Sequence, residues 1–149
     1  MTQSTQPKAL AHGLSARSLA RLGWLLSGVV VLVLAADSAV SLAAPSLIEA
    51  DMAATGFPAS LAPLLGAIIL VSVLLYAIPR TAVLGAILVT AFLGGAISIH
   101  FRLGEIGSPP QIVSIVLAVL AWGGLYLRDA RLRALLPFVS AKSREGTEA

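Results

Sequence analysis

The stretch Tyr76–Gly104, YAIPRTAVLGAILVTAFLGGAISIHFRLG, decides the fold. Thr81 to Ile99 gives 19 residues without an ionisable side chain. At a helical rise of about 1.5 Å per residue that run covers about 28 Å, close to the thickness of a bilayer's hydrocarbon core. Pro79 cannot continue the hydrogen-bond ladder of a preceding helix, and it pushes Ile78 out of helical geometry. The run therefore reads as a membrane helix entered through a tight Pro79-Arg80 turn and left through His100 and Arg102.

The composition agrees with this reading. The 149 residues are 58% hydrophobic and only 11% charged, and the mean hydropathy is +0.95. Seven acids and ten bases cannot keep that much Leu, Val, Ala and Ile soluble in water, so the bilayer is the solvent for most of the surface. The bases flank hydrophobic runs and form no stripe interleaved with aromatics, which argues against nucleic acid as a partner. Cysteine is absent, so this chain has no disulfide, thiolate metal site or thiol redox chemistry.

Working outward, Leu61–Ile78 is a charge-free run that Pro79 ends, Leu22–Ala44 is long enough to cross, and Gln111–Leu127 follows Ser108-Pro109-Pro110, a cap and two prolines tolerated in a first helical turn. With Thr81–Ile99, four spans result. Residues 1–20 read as a polar basic tail and 138–149 as a second polar tail, bounding a transmembrane domain over 21–137. Ser46-Leu47-Ile48-Glu49 fits a capping box and Gly56 a helix stop, so a short interfacial helix is expected between the first two spans. Arg128–Pro137 alternates bases with apolar residues and is expected at the headgroups. The fold class is thus all-α, an integral membrane four-helix bundle with a short interfacial helix.

Lysine and arginine set the orientation. With both termini on one side, that side holds Lys8, Arg17, Arg21, Arg80, Arg128, Arg131, Arg133, Lys142 and Arg144, whereas the other holds only Arg102. Both termini are expected in the cytoplasm of a bacterial inner membrane. A rival reading treats Trp24–Ala36 and Ser41-Leu42-Ala43 as a secretory leader, whose cleavage would leave three spans.

Between helices in lipid, small side chains let backbones approach. Ala82, Ala86, Thr90, Gly94 and Ser98 recur every fourth residue in the third span, with Gly85, Ala91 and Gly95 beside them, so this helix is expected at the centre of the bundle. Gly66 and Gly123-Gly124 offer contact points in the second and fourth spans. Trp24, Tyr76, Trp122 and Tyr126 cluster near one boundary and read as an aromatic belt, and Arg80 as a topology-setting cation at the turn.

Several of these motifs resemble one known family. Gly56-Phe57-Pro58, Leu75–Leu88 across the turn, Leu93-Gly94-Gly95-Ala96-Ile97 leading to His100 and Arg102, and Trp122–Asp129 together resemble the DoxX-like family of small bacterial four-helix membrane proteins, over about Arg21 to Pro137. The resemblance implies an inner-membrane four-helix fold and little chemistry. The wider superfamily includes a subunit of a thiosulfate:quinone oxidoreductase, but no thiol pair or metal motif is here to carry a reaction over. Relatives often carry a lysine after the helix-one aspartate. Here that position is Ser41, so an Asp-Lys pair does not transfer.

An ionisable group inside a span is costly, which makes Asp37 the leading candidate for function. It lies on the same side of the membrane as His100 and Arg102, and a pair or triad of Asp37 with Arg102 or His100 is expected, with Glu49 or Glu105 able to join. One reading is an anchoring ion pair between the first and third spans; the other is a small polar pocket for a quinone headgroup, proton or anion. No metal site is expected, since His100 has no second ligand nearby. Neither a phosphate-binding loop nor a nucleophile with its base is present. The sequence thus points to a non-catalytic membrane subunit or scaffold that binds a membrane partner or a lipid-soluble ligand. A quinone-binding redox subunit stands as the alternative, and a small proton-coupled transporter behind it.

Overall fold

The computed structural model describes residues 16–136; of the tails expected over 1–20 and 138–149, residues 1–15 and 138–149 lie outside the described residues. Helix α1 runs Ala16–Ala43, α2 Glu49–Ala54, α3 Ala62–Ala77, α4 Ala82–Arg102, α5 Pro109–Arg128 and α6 Ala130–Leu135. Single 3₁₀ turns precede α2 (Pro45–Ile48) and α3 (Ala59–Leu61). Among the described residues four helices are long and apolar enough to cross a membrane. They run alternately up and down, and the chain is a multi-pass membrane protein. We call the end holding the start of α1, the α3–α4 turn and the end of α5 the basal end, and the opposite end the distal end.

The first helix begins at Ala16, earlier than the expected Leu22, because Arg17 to Arg21 continue helical geometry beyond the apolar run. The α3–α4 turn is as tight as Pro79 requires. Ile78 is extended at φ −81°, ψ 121°, Thr81 N–H donates to Ile78 O at 3.1 Å, and the Thr81 hydroxyl donates to Leu75 O at 2.8 Å. At the distal end α2 closes in a Schellman motif: Gly56 adopts φ 79°, and the Gly56 and Phe57 N–H groups reach Ala53 O and Met52 O.

Two caps differ from expectation. The capping box at Ser46 does not form, since a 3₁₀ turn occupies Pro45–Ile48 and Ile48 is the cap position of α2, with no side-chain bond. Ser108 does precede α5, but its hydroxyl makes no cap bond. Pro110 removes one of the two N–H groups such a cap can accept from, the hydroxyl does not engage the other, on Gln111, and it is buried without a hydrogen-bond partner.

The four long helices form a ring rather than a hub. Helix α1 packs on α3 and α5, α4 packs on the same two, and the diagonal pairs meet at most weakly. Val30, Ile69, Val73, Tyr76, Ala86, Val89, Leu117, Ala121 and Leu125 form the core. Helix α4 is therefore not central; it is no more buried than α1 and less so than α3 or α5. Its small-residue stripe explains why. A four-residue step turns a helix by about 40° beyond a full turn, so four steps rotate the stripe by about 160°. Ala82 and Ala86 accordingly face the core, Thr90 is intermediate, and Gly94 and Ser98 are exposed, as are Ala91 and Gly95.

Close backbone approach is real at other glycines. A Cβ on Gly85 would collide with the backbone N and Cα of Tyr76. Gly23 and Gly124 interlock α1 with α5: a Cβ on either would lie within 3.0 Å of the other's carbonyl oxygen. At the distal end Gly66 lies against Ser41 and Ser38 O, and the Ser38 hydroxyl donates to Gly66 O at 2.9 Å. Gly123, the neighbour of Gly124, meets nothing within 4 Å.

Candidate functional site

The residues singled out at the distal end do not converge. His100 Nδ1 lies 2.7 Å from Glu105 Oε2; because an ionised carboxylate only accepts, Nδ1 carries the proton of that bond. The α4 C-terminus and the following turn, closed by Glu105 N–H on His100 O at 3.0 Å, bring these two together. Arg102 Nη2 donates to Thr55 O at 2.9 Å, which ties the end of α4 to the end of α2. Asp37 joins neither. Its backbone carbonyl accepts from the Ser41 hydroxyl at 2.9 Å, and its carboxylate has no hydrogen bond or ion pair among the described residues. The expected triad is thus three separate arrangements, because Arg102 and His100 each find a partner within reach of their own helix end.

Asp37 instead stands in the wall of a cavity of about 420 Å³ between the distal halves of α1, α3, α4 and α5, covered by α2. Inside, the wall is apolar: Leu34, Ile69, Leu93 and Leu117 are all buried. Asp37 and Asp51 are exposed, which puts the two acids at the mouth. Met52 of α2 turns inward and is buried.

The polar atoms of this wall share one property. The Ser41 hydroxyl donates to Asp37 O, Ser114 donates to Pro110 O at 2.8 Å, and Thr55 donates to the carbonyls of Asp51 and Met52. A hydroxyl has a single proton, so in this arrangement each of these presents only its lone pairs to a guest. With two carboxylates, the wall offers acceptors and no free donor. A group that fits it carries N–H or O–H, or positive charge.

The basal end holds a different constellation. Tyr76 is 0% exposed, and its hydroxyl lies 2.8 Å from Ala121 O and 2.9 Å from Ser27 Oγ. The carbonyl can only accept, so the tyrosine proton goes there and Ser27 donates to Tyr76 Oη. One side chain of α3 thereby joins α1 and α5. Arg128 sits 4.5 Å from the Trp24 ring centroid and 5.0 Å from that of Tyr76, and its Nη2 donates to Tyr76 O at 2.9 Å. Tyr76 is therefore a core residue, not part of a belt. Trp122 also has an internal partner, its Nε1 donating to Thr90 Oγ1 at 2.8 Å. Pro79 and Arg80 are exposed at the turn beside this cluster.

Sequence reasoning missed Asp51 and Thr55 as cavity residues and Arg128 as a stacked cation. The first two lie on an element too short to show a face. The last left a signal: Trp24 opens the first span and Arg128 closes the fourth, at one depth.

The model of the DoxX-like family matches residues 25–124, from the third turn of α1 to the glycine pair of α5. The chain belongs to the DoxX-like family. No curated protein and no solved structure matches it. The match takes in the DoxX-like chain's cavity wall, including Asp37, the α3–α4 turn and Tyr76, and stops short of Arg128.

Proposed function

We propose that this DoxX-like protein is a non-catalytic membrane subunit that holds a lipid-soluble ligand in its distal cavity, with both termini in the cytoplasm of a bacterial inner membrane. The observation that carries the reading is an unpartnered carboxylate, Asp37, in the wall of a mainly apolar cavity of about 420 Å³. Apolar cavities with few, placed polar groups are the usual form of small-molecule sites. A charge within a span that no structural partner neutralises is costly unless function retains it. The ligand's apolar body would lie among Leu34, Ile69, Leu93 and Leu117, and its head would donate to Asp37. Among quinone species, the quinol matches these acceptors through its hydroxyls, whereas the oxidised quinone, with only carbonyls, finds no free donor.

The test is gentle extraction of the full chain followed by mass spectrometry of what stays bound. A single apolar species with a hydroxyl or amine head, lost from Asp37→Asn, is the expected result. An empty wild type, or a ligand held equally by Asp37→Asn, overturns the reading. A second reading, a partner membrane protein, draws on the exposed Ala91, Gly94 and Gly95 of α4, where another helix could come close. It predicts a crosslink from Ala91→Cys to one reproducible partner, and its absence would remove it.

A further inference from the structure

The basal end carries a second cavity, of about 280 Å³, whose wall includes Arg80, Arg128, Arg131, Trp24 and Asp129. Three arginines against one aspartate leave two net positive charges. The aspartate is engaged: Asp129 Oδ1 accepts from Arg131 N–H at 2.8 Å and so caps α6. Arg128 is fixed in place between the Trp24 and Tyr76 rings, and one of its five N–H donors goes to Tyr76 O. The guanidinium groups of Arg80 and Arg131 make no hydrogen bond or ion pair among the described residues.

Unpaired guanidiniums lining one concave wall are a receptor for a multi-oxygen anion, and their planar forks match phosphate in particular. The remaining wall is apolar, from Pro79, Ala82 and Leu125, and Trp24 is 52% exposed on the outer face of α1. At about 30 Å³ for each water in the liquid, the space equals roughly nine waters, enough for a glycerophosphate-sized group.

We infer that this basal cavity binds a phosphate group, with Arg80 and Arg131 as its free donors and Arg128 as its preset one. The source is an anionic phospholipid whose acyl chains leave over Trp24, or a soluble phosphate. The inference is independent of the distal ligand, at the other end of the bundle.

The experiment is native mass spectrometry of the full chain with phosphatidylglycerol and phosphatidylcholine in equal amounts at fixed ionic strength. Wild type is expected to favour phosphatidylglycerol. At about fivefold for each basic side chain near a headgroup, the double variant Arg80→Gln/Arg131→Gln should lose roughly thirtyfold of that affinity, while phosphatidylcholine, whose quaternary ammonium offsets its phosphate, loses less. Arg133→Gln, whose guanidinium donates instead to Tyr126 O and Leu127 O, should keep it. Millimolar inorganic phosphate then separates the sources: displacement of the lipid assigns a soluble phosphate, and failure to displace it assigns the lipid. Equal binding of the two lipids by wild type, with no binding of inorganic phosphate, overturns the site. So does a double variant that retains its preference. Should that variant fold poorly, the wild-type lipid comparison still decides.

Discussion

The two ends of this bundle use the same kinds of residue to opposite effect. At the basal end, Gly23, Gly85 and Gly124 bring backbones into contact, and a fully buried tyrosine joins three helices. At the distal end, Gly94 and Gly95 meet nothing within 4 Å, and the helices enclose about 420 Å³ instead. The difference teaches that a small residue closes a membrane bundle only where helix rotation aims it at a neighbour. The α1–α5 and α3–α4 clamps lie at the basal end, whereas at the distal end Gly66 holds only α1 against α3 and the four helices part around the cavity of about 420 Å³.

The sharpest way to break this contrast is a pair of alanine substitutions on α4. Gly85→Ala should cost about 3 kcal/mol or more, or abolish folding, because backbone atoms of Leu75 and Tyr76 stand within 2.6 Å of the new Cβ. Gly94→Ala should change stability by less than about 0.5 kcal/mol. Thermal unfolding in detergent measures both, and equal effects would contradict the rotation argument. Next in size, Gly124→Ala sets a Cβ 2.7 Å from Ser27 Oγ and 2.9 Å from Ser27 N, and is expected to cost about 1–3 kcal/mol.

Tyr76→Phe comes third. It keeps the ring beneath Arg128 but leaves the Ala121 carbonyl and the Ser27 hydroxyl without their partner, at a cost of about 1 kcal/mol in the same assay. The smallest stability change is expected from Arg102→Gln. The guanidinium is exposed and its loss should cost under about 0.5 kcal/mol, yet it holds Thr55 at the end of α2. Hydrogen exchange over Glu49–Ala54 should therefore rise while that of α3 does not. Unchanged exchange in α2 would show that the latch does not hold the cover.

The spans were legible because lipid imposes them. An uncharged run of 19 residues and a proline bounding it leave few alternatives. That α4 is not central was not legible, because a four-residue spacing looks like a face over two turns and drifts off it over four. The distal triad failed for a related reason. Sequence places Asp37, His100 and Arg102 at one depth but not around the ring, and local partners at Glu105 and Thr55 take up the imidazole and the guanidinium. Tyr76 looked like a boundary aromatic since its neighbours on α1 and α5 are 49 and 45 residues away in the chain.

The claim on which the account turns is that the distal cavity recognises a donor head through Asp37. Two probes of equal chain length, a long-chain alkylamine and the matching alkyl methyl ketone, can be titrated into the purified chain in nanodiscs. The account predicts saturable one-to-one binding of the amine, at least about tenfold tighter than the ketone, and loss of that preference in Asp37→Asn. Equal binding of both probes, or a preference that survives in Asp37→Asn, would contradict it.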